Sequence, residues 1–189
     1  MLKRIILASA SPRRKQLLEQ IGLVFDIIPS SIDENNLIHH DPLKNIQAIA
    51  LYKAQDVAIK VKEGIIIAAD TQILINGNIL GKPIDKRDAI NMLSKLSGRI
   101  HRVITGVAIL DVQTGFKETW VETTLVKFRE LSLDEIITYI ESGEYEGKAG
   151  AYGIQGRAAA FVEKIEGCYF NVVGLPLSKL MQRLRLLIK

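Results

Sequence analysis

One cysteine, Cys168, stands in a chain of 189 residues. No intrachain disulfide can form, and a reducing compartment is the default for such a chain. Aromatic residues make up only 6%, and neither a stacking platform nor a recognition helix for nucleic acid is evident. No apolar run approaches the ~18 residues that a bilayer-spanning helix needs. Lys3-Arg4 ahead of Ile5-Ile6-Leu7 imitates a secretory leader, but the apolar stretch is short and Pro12-Arg13-Arg14 follows at once, so that interpretation is rejected. The histidines His39, His40 and His101 have no zinc-ligand spacing. No Gly-Lys-Ser/Thr of a Walker A loop is present, and no Ser-His-Asp arrangement can be argued. A soluble, cytoplasmic protein is expected, with no membrane and no nucleic-acid partner. Its net charge of +4 mildly favours anionic ligands.

What the chain does have is a small-residue turn loaded with cations. Ile5-Ile6-Leu7-Ala8 has the form of a short buried strand, and Ser9-Ala10-Ser11-Pro12-Arg13-Arg14-Lys15 follows it. Ser11 suits an N-cap and Pro12 the first helical position, with Gly22 as the stop. Cations in a first turn oppose the helix dipole by about 0.3–1 kcal/mol each, a conflict that a bound polyanion would resolve. A solvated basic turn is the other account of the same residues. Asp41-Pro42 opens a helix to about Val61 whose apolar stripe contains one charge, Lys53. That lysine either snorkels from the stripe's edge or aims its ammonium into a cleft.

Further along, Ile65 to Ala69 has the pattern of a central strand ending in Asp70-Thr71, the strand end where α/β sheets bind ligands. Asn76-Gly77-Asn78 predicts a hairpin, followed by Lys82 on a constrained loop. A helix from about Lys86 stops at Gly98, and strands are predicted over 102–112 and 119–128. Ser132 with Glu135 forms a capping box for the next helix. Phe161–Ile165 and Tyr169–Val173 are expected to pair as a hairpin, and Pro176 opens a terminal helix. The glycine-rich run 147–156 offers Lys148 and Gln155 as donors, although by itself it has the composition of a mobile surface loop. Many cations around few acids, Glu34 and Asp70, suit a phosphate ester held with a hard divalent ion.

Six segments carry a resemblance to a known family. They are Ser-Ala-Ser-Pro-Arg-Arg at 9–14, Ala-Ala-Asp-Thr at 68–71, Gly-Lys-Pro at 81–83, Thr-Gly-Val at 105–107, Lys-Ala-Gly-Ala-Tyr-Gly-Ile-Gln-Gly at 148–156 and Asn-Val-Val-Gly-Leu-Pro-Leu at 171–177. In this order, nearly end to end, they resemble the Maf family of nucleoside triphosphate pyrophosphatases, also called septum formation inhibitors. The resemblance implies one Maf-like domain over 1–189, with an α/β fold like that of the inosine-triphosphate pyrophosphatases. That fold is an elongated mixed β-sheet flanked by helices, with two lobes around a central cleft. It also implies Mg²⁺ or Mn²⁺ dependence, a homodimer, and hydrolysis of dTTP, UTP or modified pyrimidine triphosphates to monophosphate plus pyrophosphate.

By motif, the resemblance makes Asp70 the general base and Arg13, Thr71 and Gln155 the determinants of base preference. Ser9, Ser11, Arg14, Lys53, Lys82 and Lys148 would contact phosphates, and Glu34 with Asp70 would hold the metal. Tyr145 departs from the pattern, since many relatives have proline there. A regulator of septum formation that senses nucleotides without hydrolysing them is the alternative function.

Overall fold

The computed structural model describes residues 3–33 and 40–188. Local chemistry accounts for most helix starts. In α1 (Pro12–Gln20), Ser11 is the N-cap and its hydroxyl accepts from the Arg14 amide. In α2 (Pro42–Ala58), the Asp41 carboxylate accepts from the amides of Leu43 and Lys44. Asp85 caps α3 (Lys86–Leu96) through the Asp88 amide. The Ser132–Glu135 capping box starts α4 (Leu133–Glu141), with both reciprocal bonds present.

The strands are β1 (Ile5–Leu7), β2 (Asp26–Ile27), β3 (Ile65–Ile75), β4 (Asn78–Leu80), β5 (Ile100–Asp111), β6 (Lys117–Phe128) and β7 (Val162–Glu166). They form a mixed sheet of seven strands in the order β2-β1-β3-β5-β6-β7, with β4 paired to β3. β1 runs parallel to both β2 and β3, with Leu7 opposite Ile67. β3–β4 and β6–β7 are antiparallel. Asn76 and Gly77 both take positive φ in the β3–β4 turn, which explains the Asn-Gly sequence there. Short helices α5 (Tyr169–Val173) and α6 (Leu177–Leu184) complete the chain.

The fold divides into two compact units, and the division falls within β3 at the Asp70–Thr71 peptide bond. The first unit comprises the residues up to Asp70 with 105–122 and those from 174 onward; the second comprises 71–104 and 123–173. In the first, small residues make the core thin. Ala50, Ala54 and Val57 of α2 lie on Ile6, Ala8, Ile66, Ala68 and Ala108 of the sheet. Gly106 of β5 carries this further, because a Cβ there would run into the Ile46 carbonyl of α2. In the second unit α3 packs on α4 and on the 3₁₀ turn Ala149–Ala151. His101, Phe128, Tyr152, Phe161 and Tyr139 make a chain of edge-to-face ring contacts there. No helix among the described residues is long and apolar enough to cross a membrane.

Three local expectations are corrected. β3 does not end at Asp70 but continues to Ile75; it pairs with β1 as far as Ile67 and with β4 from Ile73. Asp70 therefore lies within the strand, between its β1-paired and β4-paired stretches, rather than at a strand terminus. Tyr169–Val173 is a helix, not the second strand of a hairpin. Tertiary hydrogen bonds override its β-prone sequence: the buried Asn171 amide donates to the Val103 carbonyl and to Thr124 Oγ1, each at 3.0 Å. Finally, the glycine-rich segment is not a loose surface loop, since Gly150 through Ile154 are all buried.

Candidate active site

In the first unit, the residues picked from sequence fall into two groups at neighbouring strand positions. The pairing of β1 with β3 extends to a bond from the Ala8 amide to the Ile67 carbonyl (2.8 Å). Ser9 and the turn that follows it thus leave β1 beside the stretch of β3 that leads to Asp70. Ser9 is 8% exposed. Its hydroxyl oxygen accepts from the Ser11 amide (3.2 Å) and from Arg14 Nη1 (3.1 Å). With both lone pairs engaged, the hydroxyl proton remains to be donated. Arg14 also gives Nε–H to the Gly174 carbonyl at 3.0 Å, so its guanidinium is held from two sides. Arg13 is half-buried in the same first turn.

The second group is an ion pair. Lys53 and Asp70 are 8% and 7% exposed, and Lys53 Nζ donates to Asp70 Oδ1 at 2.7 Å. The charge on the apolar stripe of α2 is therefore not a snorkelling stem at its edge. It reaches the carboxylate on β3 through the thin alanine layer. Taking two charges out of water costs several kcal/mol per ion, and such a pair is weak evidence for stability. Its chemical consequence is plain: the ammonium fixes the rotation of the carboxylate.

In the second unit, Thr71 follows Asp70 directly and is partly exposed. Lys82 and Lys148 stand on adjoining loops, because the Gly150 amide donates to the Gly81 carbonyl at 2.9 Å. Lys82 is exposed and Lys148 half-buried, its ammonium resting on the Glu144 carbonyl. Gln155 is exposed on a turn closed by the Gly156 amide and the Gly153 carbonyl (3.1 Å). Tyr145 is buried at 6% exposure. Glu34 lies outside the described residues.

Among the described residues no group of three or more His, Cys, Asp or Glu side chains is placed to hold a metal ion. The Asp70 carboxylate is nevertheless a hard oxygen donor of the kind Mg²⁺ takes, since that ion uses one or two carboxylates with substrate phosphates and waters.

Sequence inspection missed the partner of Lys53, although an ammonium on an apolar stripe was the available signal. It also missed the Gly174 carbonyl that anchors Arg14, although Gly174 lies in the 171–177 segment that the resemblance marks without giving it a role.

The family model for Maf-like protein matches residues 4–187. The chain belongs to the Maf family. Among its Maf relatives is a dTTP/UTP pyrophosphatase of Ruminiclostridium cellulolyticum, 53% identical over 95% of this chain and 93% of that protein. Proteins of the same name from Carboxydothermus hydrogenoformans and Halalkalibacterium halodurans are 49% and 50% identical. They are matched over 96% and 97% of this Maf chain and 97% and 96% of their own lengths. A crystal structure of a nucleoside-triphosphatase / dITP/XTP pyrophosphatase from Mycobacterium abscessus is 12% identical, with a TM-score of 0.43 over 68% of this chain and 75% of that one. That likeness is too slight to carry weight.

Proposed function

We propose that this Maf protein hydrolyses dTTP and UTP to nucleoside monophosphate and pyrophosphate, by in-line attack of water on the α-phosphorus. The observation that carries this is the buried Lys53–Asp70 pair beside the Ser9–Arg14 turn, together with full-length relatives named dTTP/UTP pyrophosphatases. Asp70 orients the attacking water and takes its proton, and Lys53 holds the carboxylate in the attitude that this requires. Arg14 and the Ser9 hydroxyl contact phosphate oxygens, with Ser11, Lys53, Lys82 and Lys148 adding donors and positive charge. Arg13, Thr71 and Gln155 select the base. Asp70 with Glu34 would hold Mg²⁺ or Mn²⁺, which when bound neutralises charge on the phosphates. We also place the enzyme in the cytoplasm, as its single cysteine favours, as a homodimer without nucleic-acid or membrane partners and with a link to septum formation.

The test is a panel of UTP, dTTP, CTP and GTP with Mg²⁺, scored separately for pyrophosphate and orthophosphate. UTP and dTTP are expected to lead, each yielding pyrophosphate and monophosphate in equal amounts. Asp70→Asn should lower turnover by about 10³-fold while keeping the native circular dichroism. Turnover by that variant near the wild-type rate would refute the assignment, and tight UTP binding without pyrophosphate release would favour a nucleotide sensor.

A further inference from the structure

We infer that Glu144 is the positioning residue for Gln155, a remote N-cap that locks the base-selecting turn in place; this rests on the proposed role of Gln155 in pyrimidine choice. After Gln155 the chain enters the 3₁₀ helix Arg157–Phe161, whose own N-cap position is Gly156 and has no side chain to offer. Glu144, from the turn that follows α4, fills the place instead. Its Oε2 accepts from the Arg157 amide at 2.9 Å. Oε1 lies 3.4 Å from Arg157 Nε. The carboxylate so fully occupies the space over Gly156 that a Cβ there would overlap Oε2. This gives a reason for glycine at 156 that the backbone does not, because its φ of −106° suits any residue.

The same residue ties in the other side of the segment. The Glu144 carbonyl accepts from the Lys148 ammonium, and its amide is held by Ser142 Oγ at 3.3 Å. Backbone carbonyl and side-chain carboxylate of one residue thus grip both ends of the run from Lys148 to Arg157. Within that grip the Gly153–Gly156 turn presents Gln155 to solvent. A side-chain amide selects among bases only if its direction is fixed, since discrimination comes from leaving the wrong partner unpaired. Glu144 supplies that fixity without touching substrate.

The experiment compares Glu144→Ala, Glu144→Gln and Arg157→Ala, with Gln155→Ala as the reference for lost selectivity. Glu144→Ala should raise KM for UTP about fivefold, in line with loss of one helix cap. It should move the UTP-to-CTP ratio of kcat/KM toward that of Gln155→Ala and leave kcat nearly unchanged. Amide exchange in the peptide 153–161 of the free protein should quicken in the same variant. Glu144→Gln keeps an oxygen for the Arg157 amide and should restore KM, selectivity and exchange, whereas Arg157→Ala keeps the amide and should behave as wild type. Unaltered KM and selectivity in Glu144→Ala, a loss confined to kcat, or a Glu144→Gln variant as impaired as Glu144→Ala would overturn the inference. If Gln155→Ala leaves base ratios unchanged, the role of Gln155 fails; the exchange measurement then still tests the clamp, independently of turnover.

Discussion

His101 and Asp70 are both buried, and they differ in what faces them. Asp70 has a charged partner in Lys53 at 2.7 Å. His101 is 1% exposed and shares a hydrogen bond between Nε2 and the Tyr152 hydroxyl at 2.8 Å. Its ring meets those of Phe128 and Tyr152 in T-shaped contacts, and Nδ1 has no hydrogen-bond partner among the described residues. Burial lowers its pKa to about 4 from the ordinary 6.5. Burial also pushes the Tyr152 phenol upward, so both groups facing each other are neutral at pH 7.

The sign of the pH effect follows from which state binds the proton. Between pH 6.5 and 4 the unfolded chain protonates this imidazole while the folded chain does not, so stability is full above 6.5 and drains away as pH falls to 4. Wild-type unfolding free energy, measured by urea titration, should fall by about 2 kcal/mol more between pH 7 and pH 5 than that of His101→Gln. Equal losses in the two proteins would mean the ring is not held neutral.

At the level of elements, the position of α2 follows from what is missing beneath it. Alanines and Gly106 let the helix backbone approach β5 so closely that the Ile46 carbonyl occupies the place of a Cβ. That approach sets how far Lys53 must reach to meet Asp70 on β3. Gly106→Ala should therefore cost about 1–3 kcal/mol of stability by overpacking, and should lower kcat/KM for UTP by lifting Lys53 from the carboxylate. A variant with wild-type stability and activity would show that the contact relaxes freely.

Elements whose cause is local could be read from sequence, which is why Ser11, Asp41, Asn76-Gly77 and the Ser132–Glu135 box all lie at element ends as expected. The exceptions have distant causes. Tyr169–Val173 becomes helical because Asn171 is bonded to Val103 and Thr124. Gly150 and its neighbours are buried by contacts such as that between Gly150 and Ile73. β3 runs on through Asp-Thr-Gln even though those polar residues interrupt the apolar pattern.

Across the whole molecule, the chain passes from one compact unit to the other between Asp70 and Thr71, and family membership extends over residues 4–187. The candidate site was legible only in part for a related reason. Basic turns, an acid after an apolar run and a glycine-rich segment are visible in sequence, but each taken singly has an ordinary structural explanation. Their grouping came from the resemblance. The fold adds the Lys53–Asp70 bond and the two-sided hold on Arg14, contacts between residues from 5 to 160 positions apart in the chain.

The central chemical claim concerns which phosphorus the water attacks. UTP hydrolysis in oxygen-18 water, with mass analysis of both products, measures this directly. Label is predicted in the uridine monophosphate, with unlabelled pyrophosphate released. Label in the pyrophosphate, or release of orthophosphate in its place, would contradict attack at the α-phosphorus.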